Sequence, residues 1–329
     1  MQTPRGYELV VEEGQTVVSL VDPIAAYANP RFPWMFVHMQ NAAVLSVALF
    51  MAGVAAYHLF RHYHWEYPVE HPEFWETTLK IAIVVMLLTA PFQVLHGDAY
   101  ARHVAETQPQ KFAAMEAVWE TDSYVPEYIF AVPTDLDDLL NPRAKDIFGI
   151  GIPGGASWLV SGGDPSAEIT GLNEFDTQAP PVAIVFWSFR LMVGLGFWFV
   201  LLAFWAGYRL WRGQLLEDDL LHKSLMASSL LGILAVELGW IVTEVGRQPW
   251  VIQGVMKTSD GVSPGLTGFE ATLTLAGFGA VYLGLLSLYT YVVARIVRAG
   301  PPAVDDPSVG DASDQPASSA PAAAGGEDD

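Results

Sequence analysis

Six ionisable side chains lie inside long apolar stretches of this sequence: His38, Lys80, Arg190, Glu237, Glu244 and Glu270. Burying an ionisable group inside a membrane span is costly, so each of these residues is a candidate for function. Their types suit metal ligation, anion binding and proton transfer. We therefore expect the chemistry of this chain at these positions and at polar residues close to them.

His38 and Met192 are the side chains best suited to ligate a transition metal. Neutral imidazole is a common metal ligand and the usual axial ligand of haem iron, and a His/Met pair is known from low-spin haems. Arg190 lies two residues before Met192, so the two do not share a helix face. Its guanidinium would reach an anion such as a propionate at the edge of a haem. The residues alone leave open that His38 and Met192 are ordinary core side chains.

Glu237 and Glu244 are seven residues apart, which places them on one helix face about 10 Å apart along the axis. Two carboxylates stacked in a span suit a proton path, or a metal ligand beside a proton acceptor. The alternative is that each carboxylate pairs separately with another helix. Arg247 and Pro249 follow Glu244 and end the apolar segment with a compact basic cap.

Lys111 and Glu116 lie in a polar stretch between two apolar segments. They could bind and deprotonate a polar head group at the membrane surface. Their five-residue spacing puts them about 140° apart on an ideal helix, so they would flank a ligand rather than grip it from one side. The alternative is a solvated amphipathic helix with no ligand.

Five apolar segments are long enough to position these residues in a bilayer, which takes about 20 residues to cross. They cover roughly 34–60, 73–95, 182–211, 222–245 and 269–297. Hydrophobic residues make up 52% of the chain and charged residues 16%, against about 25% charged in soluble domains. The sequence therefore predicts an all-α polytopic membrane bundle with five transmembrane helices.

Three further regions surround the predicted spans: an outer segment 1–32, a long loop 96–181 and an acidic tail 298–329. The tail is rich in Ala, Pro, Ser and Asp and is predicted to be disordered. Basic residues cluster tightly at the opposite ends of the spans from the long loop. This bias predicts a multi-pass cell-membrane protein with the loop outside and the tail in the cytoplasm.

Charge and cysteine content exclude several classes of function. The net charge of −20 disfavours nucleic acid as a partner, and a halophilic source would explain such an acidic excess. There is no cysteine, which excludes disulfides, thiolate metal sites and a cysteine nucleophile.

Four stretches, in this order and spacing, resemble subunit I of the cytochrome bd-type quinol oxidases. They are FVH at 36–38, QPQKFAAMEAVWET at 108–121, FRLM at 189–192 and GWIVTEVGRQPW at 239–250. The last string is highly specific, and the resemblance covers roughly residues 1–301. It implies a subunit of a terminal oxidase that oxidises quinol at the outer face and passes electrons through haems to reduce oxygen to water.

The resemblance also implies a role for each residue that matches a family motif. His38 and Met192 become the ligands of a low-spin haem b, with Arg190 near its propionates. A high-spin haem b has Glu244 as its carboxylate ligand, with Arg247 beside it and Glu237 close by. Quinol binding and oxidation fall to Lys111 and Glu116.

The sequence departs from the family because the four spans that precede the His38 helix are not found. The resemblance places a haem d or a third haem b partly on those spans. We therefore expect oxidase subunit II and, if the gene is split, a separate N-terminal four-span polypeptide as partners. No histidine other than His38 is expected deep within a span, and the chain alone is expected to be inactive as an oxidase.

Two other functions fit the residues less well. One is a b-type cytochrome quinone module that does not reduce oxygen, and the other is a haem-free proton-coupled transporter. An optical spectrum of the purified protein separates them, because the transporter would show no haem bands and the simple cytochrome only low-spin features.

Overall fold

The computed structural model describes residues 1–12, 15–66, 68–69, 71–263 and 265–301. Most of the predicted acidic tail, residues 302–329, lies outside the described residues. Within them, five helices are long and apolar enough to cross a membrane, which confirms the predicted helical fold class. Strands occur in the described chain only as short antiparallel pairs in the connections.

The first part of the chain carries a hairpin, a short helix and two long helices. The hairpin pairs β1 (Tyr7–Glu12) with β2 (Gln15–Leu20) and precedes α1 (Pro23–Tyr27). Two spans follow, α2 (Phe32–His64) and α3 (Pro72–Thr107). Each long helix has a proline in its first turn, where the missing N–H costs no hydrogen bond.

The loop after α3 folds over the helix ends as short elements. They are α4 (Pro109–Met115), β3 (Asp122–Ser123), β4 (Glu127–Pro133), α5 (Leu136–Leu140), β5 (Ile147–Ile152), α6 (Gly155–Ser161) and β6 (Glu168–Ile169). β4 pairs antiparallel with β5, and β3 pairs with β6. A buried apolar cluster joins this loop to the C-terminal end of α3 and to the start of the next span.

The last part of the chain contains the other three spans. They are α7 (Val182–Trp211), a span built from α8 (Asp219–Ser228) and α9 (Leu231–Val245), and α10 (Gly268–Ala299). A small hairpin of β7 (Trp250–Ile252) and β8 (Met256–Lys257) precedes α10. A second apolar cluster fills the space between α2, α3, α7 and α8, with Leu49, Leu79 and Leu202 among its fully buried members.

The predicted end of the second span at residue 95 is wrong, because α3 continues to Thr107. The residues after 95 are polar, so hydropathy falls, but they contain no proline and include several good helix formers. Ala101, Val104 and Ala105 of this extension are buried against the loop. Hydropathy therefore marked where the apolar stretch ends and not where the helix ends, and the long loop begins at Gln108 rather than at residue 96.

Two of the ionisable residues singled out in apolar segments have local structural partners. Lys80 pairs with Glu76 one turn away, with 3.3 Å between Nζ and Oε2. Glu270 completes a capping box with Thr267 at the start of α10. Both residues therefore have roles in the helices that carry them.

The most apolar part of α10 is not buried by any other described residue. Its C-terminal end is the part that is held, because His58 Nε2 lies 2.7 Å from the carbonyl oxygen of Val297. The His58 ring also stacks on Trp75, with 4.0 Å between ring centroids. This helix therefore presents almost its full length to lipid or to further helices.

Helix α2 approaches the broken span α8–α9 at a glycine. A methyl group on Gly53 would lie 2.5 Å from Ser229 Cβ and 2.9 Å from the carbonyl oxygen of Leu225. Small residues allow this close approach between membrane helices.

We predict that Gly53→Ala lowers the thermal stability of the purified protein, because overpacking of this kind typically costs about 1–3 kcal/mol. The matched control is Gly277→Ala in α10, where the added methyl group would meet nothing within 4 Å among the described residues apart from the backbone of its own helix. The measurement is the melting temperature of both variants in detergent. Equal stability of the two variants would contradict the described contact between α2 and α8–α9.

Candidate functional site

A cavity of about 710 Å³ lies between α2, α3, α7 and α9, beneath the loop that starts at Gln108. His38, Met192 and Lys111 all line it, so the structure brings three of the predicted site residues to one space. Most of the remaining lining is apolar. A large apolar cavity with a few convergent polar groups is the usual form of a cofactor or substrate site.

His38 lies in the second turn of α2, and neighbouring polar groups orient it. Its Nε2 lies 3.0 Å from Gln93 Nε2, and the same amide donates to the His38 carbonyl oxygen at 3.3 Å. The amide oxygen of Gln93 is also bound, because Asn41 Nδ2 donates to Gln93 Oε1 at 2.6 Å. His38 Nδ1 is buried and has no hydrogen-bond partner in the described part of the chain.

His96 does not lie near a helix end, which corrects the expectation that His38 is the one histidine deep in a span. Because α3 runs to Thr107, His96 is well inside that helix. Its ring centroid is 5.6 Å from that of His38. Trp34 continues the row of rings by lying between His96 and His103, at 5.6 Å from each.

Glycines leave space around the two metal-ligand candidates. A methyl group on Gly239 would lie 3.1 Å from the Met192 sulfur, and one on Gly97 would lie 3.4 Å from His38 Cε1. All four residues line the cavity. Side chains at these glycine positions would therefore occupy space that now adjoins the thioether and the imidazole.

Lys111 is buried in the cavity wall, since α4 is buried from its second residue onward. The alternative of a solvated amphipathic helix is thus excluded. The Lys111 ammonium donates to Gln2 Oε1 at 2.6 Å and to the carbonyl oxygen of Thr243 at 3.0 Å. Burial lowers the pKa of Lys111 well below its usual value, and repulsion by Arg31 and Arg247 adds to that effect.

Glu116 lies behind the cavity wall and pairs with Arg190. Its side chain has no exposed surface, and its Oε2 accepts a hydrogen bond from Arg190 Nη2. Arg190 Nη1 donates to a second carboxylate, Glu127 Oε1, at 2.6 Å. Burial raises the pKa of the Glu116 carboxyl, repulsion by Glu127 raises it further, and the Arg190 guanidinium opposes both.

Glu244 and Glu237 do not line the cavity. Glu244, at the end of α9, is 47% exposed and pairs with Arg247, which is buried. Glu237 is exposed on the same helix, and no hydrogen bond or ion pair joins it to another described residue. Lys111 connects the cavity with the end of α9, because its Cγ would lie 3.1 Å from a methyl group on Gly246.

Arg31 and Glu127 line the cavity and were missed by the sequence analysis. Arg31 is fully buried and donates to Gln108 Oε1 at 2.6 Å and to the Tyr100 hydroxyl at 3.2 Å. Both charged residues lie outside the apolar segments, where surface charges are common. Only the folding of the loop and the helix ends against each other shows that Arg31 is buried and that Glu127 is part of the cavity wall.

The family model for cytochrome bd terminal oxidase subunit I matches residues 1–301. The chain belongs to this family. Cytochrome bd ubiquinol oxidase subunit 1 of Bacillus subtilis is 32% identical over 311 residues, covering 91% of this chain and 63% of the relative. A putative cytochrome bd menaquinol oxidase subunit I of the same organism is also 32% identical, over 304 residues, with 91% and 64% covered.

A solved structure agrees with the fold of this cytochrome bd family member. The bd oxidase from Geobacillus thermodenitrificans aligns with a TM-score of 0.74 and 29% sequence identity, covering 91% of this chain and 65% of that chain. The chain thus spans a little less than two thirds of the length of each of these three proteins. The predicted family and the predicted membrane fold are both confirmed.

We predict that Arg190→Met destabilises the protein by about 3–5 kcal/mol, because it leaves two buried carboxylates without their cation. The matched control is Arg212→Met, which removes an exposed guanidinium at the far end of α7. Thermal unfolding in detergent compares the two. Adding Glu116→Gln to Arg190→Met should recover part of the lost stability, because one of the unpaired carboxylates is removed. Equal stability of Arg190→Met and Arg212→Met would argue against a buried ion cluster.

Proposed function

We propose that this chain acts within a cytochrome bd-type terminal oxidase, which oxidises quinol on the loop side and passes electrons through haems to reduce oxygen to water. The cavity that His38, Met192 and Lys111 share carries this proposal. It adjoins proposed haem ligands and a proposed quinol-binding residue at once. The names of the relatives, ubiquinol and menaquinol oxidase subunits, favour the oxidase over a simple cytochrome or a transporter.

The residues around the cavity fit a low-spin haem b. His38 offers an imidazole with a buried nitrogen that has no hydrogen-bond partner among the described residues, and Met192 offers a thioether beside the space that Gly239 leaves. A haem with one imidazole and one thioether ligand supplies single-electron transfer. Arg190 Nε is buried without a hydrogen-bond partner among the described residues, so it could still donate to a propionate.

Lys111 and Glu116 are proposed to bind quinol and to take its protons. An ammonium group has three N–H donors, and the described partners of Lys111 use two of them, which leaves one for a quinol oxygen. The raised pKa of Glu116 suits a proton acceptor that must bind and release protons at ordinary pH. Glu116 reaches the cavity through Arg190 and Glu127.

Glu244, Arg247 and Glu237 are proposed to serve a high-spin haem b and an adjoining haem d or third haem b. Glu244 would be the carboxylate ligand, Arg247 would hold that carboxylate in place, and Glu237 would lie near the oxygen-reducing centre. The exposure of both carboxylates supports a group or a helix that covers them, because a bilayer does not solvate charge.

The partners are proposed to be oxidase subunit II and helices that complete the haem sites, including a separate four-span polypeptide if the gene is split. The uncovered length of α10 and the exposed Glu237 on α9 support this packing. The chain is a membrane protein. We place its long loop outside the cell and its tail in the cytoplasm, since the basic residues at span ends favour that orientation.

We predict that Met192→Leu removes the reduced-minus-oxidised band of the low-spin haem, because leucine keeps the volume of the side chain but has no sulfur ligand. The control is Met51→Leu in α2, an equally half-buried methionine that does not line the cavity. Optical spectra of the assembled complex test both variants, and His38→Ala should match Met192→Leu. A normal low-spin band in both Met192→Leu and His38→Ala would show that the ligand assignment is wrong.

We predict that Glu244→Ala abolishes oxygen consumption while quinol still reduces the low-spin haem, because the change removes a proposed iron ligand outside the cavity. The control is Asp260→Ala, at an exposed position in the following connection. An oxygen electrode and an optical spectrum of the same membranes give the two readouts. Normal oxygen uptake by Glu244→Ala would remove Glu244 from the proposed centre.

A further inference from the structure

Arg190 holds two carboxylates that face different surroundings. Glu116 has no exposed side-chain surface and does not line the cavity. Glu127 keeps 15% of its side-chain surface exposed and does line the cavity. Any proton that moves from the cavity to Glu116 along these side chains therefore meets Glu127 first.

The cluster contains more negative than positive charge. One guanidinium faces two carboxylates, and the rings of Phe186 and Phe189 pack over it, with 4.9 and 5.1 Å from the guanidinium carbon to the ring centroids. A buried excess charge in such apolar surroundings is neutralised by binding a proton.

One oxygen of each carboxylate remains available for that proton. Glu116 Oε1 and Glu127 Oε2 are buried and have no hydrogen-bond partner in the part of the chain that the structure describes. Their other oxygens bind the two Nη atoms of Arg190. The arrangement thus leaves both carboxylates able to bind or release a proton while the ion pair with Arg190 stays in place.

The backbone holds Glu127 in position. It opens β4 and lies opposite Ile152 of β5 in the antiparallel register. The first residue of α6, Gly155, packs so closely that a methyl group there would lie 2.7 Å from Glu127 Cβ. Glu127 is therefore fixed at the cavity wall by three elements of the loop.

Other charged and titratable groups around the pair lie on the neighbouring elements. Tyr128 follows Glu127 on β4, and its hydroxyl oxygen lies 3.2 Å from the carbonyl oxygen of Ala144 and 3.0 Å from that of Ile147. Elsewhere on the cavity lining are His38, Arg31, Asp98 and Lys111. Asp98 is paired with Arg102. Arg190 is the one cation that the described residues pair with Glu116 and Glu127.

We propose that Glu127 is a further catalytic residue for quinol oxidation, the cavity-facing member of a carboxylate pair that shares one proton with Glu116. This inference rests on the proposed function. Oxidation of quinol breaks two O–H bonds and releases two electrons, which go to haem iron. The pair accepts the first proton when both of its carboxylates are ionised, releases it to the solution on the loop side, and then accepts and releases the second proton in the same way.

The direct test is infrared spectroscopy of the assembled complex in membranes near neutral pH. A shared proton gives the carbonyl stretching band of a protonated carboxylic acid, which shifts in heavy water. Glu127→Gln should remove this band, because the remaining carboxylate of Glu116 forms a one-to-one ion pair with Arg190 and becomes ionised. Glu116→Gln should also remove the band, because Glu127 is then the carboxylate that pairs with Arg190 and becomes ionised. The control is Glu120→Gln, an exposed residue of the same loop, which should keep the band.

Steady-state quinol oxidation across pH gives the second readout. The ionised acceptor becomes more abundant as pH rises, so the native rate should rise towards the raised pKa of Glu116. In Glu127→Gln the repulsion is gone, so this rise should move to lower pH, and kcat should fall about a hundredfold. Glu127→Asp keeps the carboxylate and should restore the band and part of the rate.

The outcomes separate this inference from the proposed function. An active native complex in which Glu127→Gln keeps both the infrared band and the native pH profile would overturn the role of Glu127 alone. A native complex with no quinol-dependent oxygen uptake would overturn the proposed function, and with it the assignment of the pair to quinol, even if the band responds as expected. A Glu127→Asp variant with neither band nor activity also counts against the pair.

Discussion

The guanidinium of Arg190 joins the membrane helices to the loop that covers them. It lies on α7 and binds carboxylates from two separate parts of the loop, one just after α4 and one at the start of β4. Removing one partner from a buried ion cluster costs about 3–5 kcal/mol, so these contacts contribute strongly to the stability of the fold. The cluster therefore holds two separate parts of the cavity's cover to α7.

The helices below the loop are shaped to leave a space rather than to fill it. Where α2 meets α8–α9, glycines bring backbones almost into contact, as Gly53 does with Leu225. Around the cavity, Gly97 lies beside the His38 imidazole and Gly239 beside the Met192 thioether. Because neither glycine has a side chain, the cavity stays open next to both groups. Glycine thus allows close helix packing in one part of the bundle and leaves space for the cavity in another.

The spans could be predicted from the sequence because their signal is local and strong. Apolar segments of the right length found all five helices, and the boundaries of α7 were predicted without error. The end of α3 was missed because its last three turns are polar and are held by burial of Ala101 and Val104 under a distant loop. Hydropathy measures the solvent that a segment prefers, and it does not measure tertiary contacts.

The site residues differ in the same way, because some have a local signal in the sequence and others are defined only by tertiary contacts. His38, Met192 and Lys111 were found because their residue types or motifs are unusual in their surroundings, and they line one cavity. Arg31 and Glu127 look like ordinary loop charges in the sequence, and contacts with residues 77 and 63 positions away are what bury them or hold them in place. Sequence spacing also could not show that Glu116 is sealed behind Arg190, since that depends on how the loop folds back.

The hydrogen bonds of Lys111 have a consequence for the order in which the chain is made. Its ammonium joins Gln2, 109 residues earlier, to the carbonyl of Thr243, 132 residues later. Contacts of such long range cannot form until the last participating segment has left the ribosome and entered the membrane. The cavity wall is therefore incomplete until α9 is inserted, so a large group can be fully enclosed in this space only after that step.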